Sequence, residues 1–212
     1  MTKKERALFC IKALKKEYPD SLCSLVAGDP FQLLVATRLS AQCTDARVNL
    51  ITPALFEKYP TTKDFANAKV EDVEKLVHSC GFYRTKARDI VGAAQIVLER
   101  FGGRAPDNIE DLTSLPGVGR KTANIIIGDV YGKPAVVADT HVIRITNLLG
   151  LVNTKDPKKV EFELREILPP EESNDFCHRL VLHGRAVCIA RRPQCIKCCL
   201  SDYCKNKANK NN

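Results

Sequence analysis

The chain is 212 residues long, enough for one large domain or two small ones with a real core. Its 33 Lys and Arg against 25 Asp and Glu give a formal charge of +8, an excess that favours a polyanion as partner. No unbroken apolar run exceeds five residues, against the roughly 18 that a membrane span needs, and the opening MTKKERALFC offers no apolar signal segment, so the ten cysteines read as reduced thiols of a cytosolic protein.

Periodicity is helical almost throughout. Leu8, Ile11, Leu14 and Tyr18 form one stripe. Asp29-Pro30 sets a capping carboxylate ahead of a proline at the first helical position, and Asp156-Pro157 repeats the pattern. Val73, Leu76, Val77 and Cys80 make a second stripe ended by Gly81; Ile90, Ala94, Val97, Leu98 and Phe101 make a third ended by Gly102. Ile125 to Ile127 is the one β-like trio, but Thr122, Ile126 and Val130 keep helical spacing around it and predict a buried helix. Val142, Ile145 and Leu149 line a helix that begins after Asp139 and stops at Gly150, and Val160, Leu164 and Leu168 line the next. No alternating run is long enough for a sheet, and no repeat has a solenoid period. The expectation is an all-α fold of about ten short helices, with a disordered low-complexity tail, KNKANKNN. Cys10, Cys23, Cys43, Cys80 and Cys177 are expected to act as small buried hydrophobes.

Two segments carry chemistry. In Leu115 to Ala123, LPGVGRKTA, Pro116 closes one helix, Gly117 permits a turn that residues with a β-carbon resist, and Gly119 lets the backbone approach another surface closely. The amides that open the following helix then point outward with the helix dipole behind them, an anion site that suits a phosphodiester. Arg120 and Lys121 follow at once, and they turn a plain connector into a nucleic-acid backbone contact. The second segment is Cys188 to Cys204, CIARRPQCIKCCLSDYC, spaced C-x6-C-x2-C-x5-C with basic residues between the sulfurs. Four thiolates this close in sequence can hold a metal centre without help from the rest of the fold. Only Cys195 and Cys198 fit the paired spacing usual for zinc, while the longer gaps suit a bulkier iron–sulfur cluster. Cys199 competes with Cys198 for the third ligand position, and only the x2 spacing from Cys195 favours Cys198.

LPGVGRKTA, then VADTHV about twenty residues on, then the cysteine run, together with LSAQCTD at Leu39 to Asp45, resemble the bacterial endonuclease III family among the helix-hairpin-helix (HhH-GPD) DNA glycosylases and abasic-site lyases. The resemblance implies two helical domains with a DNA cleft between them. One is a six-helix barrel-like domain over residues 23–134 that holds the hairpin; the other combines residues 1–22 and 135–212 and carries one [4Fe-4S] cluster on Cys188, Cys195, Cys198 and Cys204.

It further implies that Lys121 attacks the deoxyribose C1′ of a damaged nucleotide, displaces the base and forms a Schiff base that decays by β-elimination. The substrate implied is duplex DNA bearing oxidised pyrimidines or abasic sites, met by a monomeric, nucleoid-associated enzyme. An amine must be neutral to attack, and a free lysine with a pKa of about 10.4 is almost wholly protonated near pH 7, so a Lys121 held away from bulk water is expected. Asp139 would assist the proton movements, or cap the helix that begins at Thr140, or both. Gln42 would fill the gap left by the extruded nucleotide, and Phe82 would wedge beside it where the family often carries leucine; the bland alternative for Phe82 is a core aromatic. His141 would face DNA or serve as a satisfied structural histidine. Ser40 and Asp45 would line the pocket or cap helices. Gly117, Val118, Gly119 and Arg120 would hold the phosphate backbone at the hairpin, and Arg185, Arg191, Arg192 and Lys197 would do so around the metal loop, with Arg84, Lys86 and Arg88 as another positive edge. Two other readings compete: a mismatch-specific glycosylase, disfavoured by Lys121 and Ser40, and a non-catalytic iron–sulfur protein that binds DNA or senses redox state.

Overall fold

A computed structural model describes residues 1–20 and 23–205. Among these the fold is all-α: α1 (Lys3–Glu17), α2 (Pro30–Ser40), α3 (Asp45–Lys58), α4 (Thr62–Ala66), α5 (Val70–Val77), α6 (Tyr83–Phe101), α7 (Ile109–Thr113), α8 (Arg120–Asp129), α9 (Thr140–Leu148), α10 (Pro157–Ile167) and α11 (Ser173–Ala186). Short 3₁₀ turns occupy Pro170–Glu172, Cys195–Lys197 and Ser201–Tyr203. The tail expected to be disordered lies outside the described residues, Lys205 apart. No helix among the described residues is long and apolar enough to cross a membrane. The chain divides into two compact units, Cys23–Gly132 and Met1–Leu22 with Lys133–Asn212.

The unit Cys23–Gly132 is organised around α2 and α6. Phe31, Leu33, Leu34, Val35, Ala36 and Leu39 of α2 are all buried, as a helix with neighbours on several sides requires. It packs on α3, α6 and α8, and α6 packs in turn on α4 and α5. Seven helices fall here among the described residues, two of them only five residues long. Thr61 and Asn108 each accept a hydrogen bond from the third residue of a five-residue helix, α4 and α7, and these caps stabilise helices too short for a hydrophobic stripe to reveal. The trio Ile125 to Ile127 lies in α8, with Ile126 and Ile127 buried.

In the other unit α1 packs on α10 and α11, and α9 packs on α11. Ala7, Cys10, Ile11 and Leu14 form the buried face of α1, whereas Leu8 is 52% exposed, so the stripe read from the sequence is offset by one residue at its start. Arg179, on α11, donates to the Tyr18 carbonyl (3.0 Å) and to Asp175 (3.1 Å), which fixes the end of α1 against α11. Of the cysteines expected to be buried, Cys10, Cys80 and Cys177 are, but Cys23 and Cys43 are only half-buried.

Both carboxylate caps form. Asp29 Oδ1 accepts from the amides of Phe31 (2.7 Å) and Gln32 (3.0 Å), and Asp156 Oδ1 accepts from Lys159 (2.8 Å). Removal of the first orphans two amides at the start of the helix around which its unit is built. Asp29→Ala is expected to lower stability by about 1 kcal/mol, read as an earlier chemical-denaturation midpoint with native helicity unchanged.

Candidate functional site

The hairpin is the stretch from α7 through residues 114–119 into α8. Gly117 has φ +71°, the left-handed region that favours glycine, and a β-carbon there would stand 2.4 Å from Arg38 Nε and 2.6 Å from Asp89 Oδ2. Those two side chains form an ion pair, with Arg38 donating from Nε (2.8 Å) and Nη2 (2.6 Å) to the same Asp89 oxygen. The turn therefore lies directly on a charged pair that joins α2 to α6. Val118 is buried and Pro116 packs against Gly92 of α6, so the hairpin is anchored by its apolar members while Gly117 and Gly119 stay exposed. Gly119 caps α8 with ordinary extended backbone, brings no side chain to the cap, and a β-carbon there would meet nothing within 4 Å. The opening amides of α8 thus border open space, with the helix dipole behind them. Arg120 and Lys121 are the first two residues of that helix. Lys121 is exposed and not shielded from bulk water as expected, because the second position of a helix started by an uncapped glycine has no flanking side chain to cover it.

Two further segments of the same unit bear expected site residues. Gln42 (φ +54°) and Phe82 (φ +58°) are, among the described residues, the only non-glycine residues with positive φ. Such residues carry strain that the surroundings must hold in place. Both are exposed, Phe82 by 67%, so Phe82 is not a core aromatic. Arg84 and Arg88 are exposed, with Arg84 over the Tyr83 ring. Lys86 departs from expectation: only 1% exposed, it donates from Nζ to the Leu39 carbonyl (2.8 Å) at the end of α2, and burial pulls its pKa below the usual lysine range. Four residues beyond the α6 N-cap, it faces the core and is not a phosphate contact. Ser40 donates to the Thr37 carbonyl (2.9 Å), and Asp45 accepts from Ser24 Oγ (2.5 Å), so both side chains are engaged in local structure.

In the other unit Asp139 caps α9, its Oδ1 accepting from Val142 (2.8 Å), with Oδ2 outside that bond. Half-buried His141 lies against Gly184 of α11, where an added β-carbon would stand 2.4 Å from Nδ1, and that nitrogen is 3.2 Å from Arg144. These contacts pack the ring against α11 and Arg144.

Cys188, Cys195, Cys198 and Cys204 all line one cavity of about 200 Å³, together with Arg144, Leu148 and Pro193; Cys199 does not line it. Two nitrogen groups from outside the loop reach the sulfurs. Arg144 donates to Cys188 Sγ (3.1 Å), and His183 Nε2 is 3.3 Å from Cys198 Sγ. His183 is buried and its pKa is pushed down to about 4 by that burial and by Arg144, so the ring is neutral. Its Nδ1 meets the Tyr18 hydroxyl (3.2 Å), which can donate there and leave Nε2–H to donate to the sulfur. Burial pushes the Cys198 thiol up to about 11 and raises Cys188 as well. Sulfurs that resist ionisation alone, yet are approached by N–H donors, are suited to a shared cation. Arg185, Arg191, Arg192 and Lys197 are exposed around the loop. Arg38, Asp89, Arg144 and His183 were invisible to motif reading: none has a diagnostic spacing, and each acts through partners on other elements.

The description that matches residues 35–170 is that of an HhH-GPD superfamily base excision DNA repair protein. The chain belongs to this family. Similar HhH-GPD relatives include endonuclease III of Synechocystis, 46% identical over 96% of this chain and 93% of its own, and that of Bacillus subtilis, 40% identical over 93% and 90%. A solved endonuclease III in a trapped covalent intermediate with DNA superposes with a TM-score of 0.91 at 41% identity, covering 98% of both chains.

The hairpin geometry separates its two glycines. Gly117→Ala combines a left-handed backbone penalty with a clash against the Arg38–Asp89 pair and is expected to cost roughly 2–4 kcal/mol. Gly119→Ala, with free space and extended backbone, is expected to shift the thermal midpoint little while weakening DNA retention.

Proposed function

We propose that this base excision repair glycosylase and lyase removes oxidised pyrimidines from duplex DNA and nicks the abasic site, with Lys121 as nucleophile and Asp139 as the carboxylate that handles protons. The observation that carries the reading is an exposed lysine in the first turn of α8, two residues after an unobstructed glycine whose neighbouring amides suit a phosphate. A phosphate held there sets the sugar of a nearby nucleotide close to the amine. The neutral Lys121 nitrogen attacks C1′ and the bond to the base breaks. The departing base takes a proton from the attacking nitrogen; the C1′–O4′ bond then opens with protonation of O4′, and the resulting iminium loses a C2′ proton and expels the 3′ phosphate from C3′. Asp139 Oδ2, outside the cap, supports positive charge developing on the sugar. Lys121 is open to solvent in the free protein, so its shielding from water falls to the bound duplex.

Gln42 and Phe82 suit occupation of the gap in the stack: both are exposed, and both sit at left-handed backbone positions in the segments that connect helices. Arg84, Arg88, Arg185, Arg191, Arg192 and Lys197 are the proposed phosphate contacts. Cys188, Cys195, Cys198 and Cys204 would hold one [4Fe-4S] cluster. All four cysteines line one cavity, and their wide spacing in the chain fits a polynuclear centre better than one zinc. When bound, the cluster supplies a staple for the cationic loop. Arg144 and His183 orient its sulfurs. The proposed setting is the bacterial cytoplasm, on the nucleoid, as a monomer.

Borohydride reduction in the presence of abasic-site duplex is expected to yield a covalent adduct with the wild type and none with Lys121→Gln, although the variant still binds; an undiminished adduct from the variant would remove the assignment. The purified protein is expected to carry about four irons per chain, lost in Cys198→Ser and kept in Cys199→Ser, by elemental analysis.

A further inference from the structure

Two cysteines remote from the metal loop meet beside the segments that carry Gln42 and Phe82. The Cys43 and Cys80 sulfurs lie 3.8 Å apart although 37 residues separate them in sequence. Their backbones also pass closely, since a β-carbon on Gly81 would lie 3.7 Å from the Gln42 carbonyl oxygen. Cys80 is buried and Cys43 half-buried, which leaves one sulfur of the pair accessible to a small oxidant. A disulfide bond of about 2.05 Å is within reach of side-chain rotation at both residues. Burial pushes the Cys80 thiol up to about 11, with Cys43 raising it further and the nearby cations Lys86 and Arg47 only partly offsetting the rise, which suits Cys80 to the resolving role and not to the first attack.

Each sulfur is also tied to one strained residue. Cys43 directly follows Gln42, and Cys80 stands two residues before Phe82; among the described residues these are the two non-glycine residues with positive φ. We propose that Cys43 and Cys80 form a reversible oxidation site, closed to a disulfide by peroxide, that freezes these two segments and weakens engagement of damaged DNA. The consequence for DNA rests on the roles given to Gln42 and Phe82 above; formation of the disulfide does not. In the first step the Cys43 thiolate attacks hydrogen peroxide, the O–O bond breaks, and hydroxide leaves to become water, giving a sulfenic acid. The Cys80 sulfur then attacks Cys43, the S–O bond breaks, and the Cys80 proton leaves with the hydroxyl as a second water. Two thiols lose two electrons and one peroxide gains them.

The test treats the cluster-loaded wild type with hydrogen peroxide while the visible absorbance of the cluster is followed, then digests it without reductant. The expected product is a peptide pair joining Cys43 to Cys80, lighter by two hydrogens than its separate parts and split by dithiothreitol. Binding of abasic-site duplex is expected to fall on oxidation, to recover with dithiothreitol, and to be insensitive to peroxide in Cys43→Ser and in Cys80→Ala, two variants used together in case one fails to fold. Oxidation confined to residues 188–204 with Cys43 and Cys80 still open to alkylation would overturn the proposal, as would a linked pair with unchanged binding. Should the reduced wild type not bind abasic duplex at all, the functional reading falls, and the linked peptide by itself decides for or against the cysteine pair.

Discussion

The hairpin exists because one residue without a β-carbon crosses one ion pair. Arg38 of α2 and Asp89 of α6 meet beneath the turn, and Gly117 is the point at which the backbone rests on them. A partly enclosed pair of this kind adds little net stability on its own, since the Coulomb gain is offset by desolvation. What it supplies is a fixed seat: two helices of the unit and the turn share one contact, and α8 leaves the turn in a direction set by all three. Lys121 is reached through that geometry, which makes its place on the surface a property of the core.

The cysteine loop is held by a similar division of labour. Its own spacing brings four sulfurs to one cavity, but their polar partners come from elsewhere, Arg144 from α9 and His183 from α11. A neutral buried histidine with a tyrosine hydroxyl on one nitrogen and a sulfur on the other is a satisfied relay, and an arginine against a neighbouring sulfur offsets thiolate charge. His141 belongs to this support through Arg144. One network therefore connects the residues just after Asp139 to the cysteine loop within a single unit.

The all-α class, the two proline-started helices and the helical reading of Ile125 to Ile127 were legible because each rests on local chemistry: a capping carboxylate, a fixed proline φ, a period of 3.6. The two five-residue helices were not, since their caps act over too few residues to leave a stripe. The hairpin and the cysteine run were legible as motifs because their spacing is itself the signal. Lys86 was misplaced for the opposite reason: between Arg84 and Arg88 it reads as one of a charged run, and only the turn of α6 sends it inward to the Leu39 carbonyl. Arg38, Asp89, Arg144 and His183 depend on partners far away in sequence, which no local pattern encodes. The same holds for the meeting of Cys43 with Cys80.

The central claim is that the amine on the first turn of α8 becomes bonded to the sugar of a damaged nucleotide. Peptide mapping of the wild-type protein after borohydride reduction on abasic-site duplex and nuclease digestion tests it most directly. The account predicts a sugar-derived mass increment on the peptide containing Lys121, assigned to that side chain by fragmentation. An increment on a different lysine or on the amino terminus, with the Lys121 peptide unmodified, would contradict it.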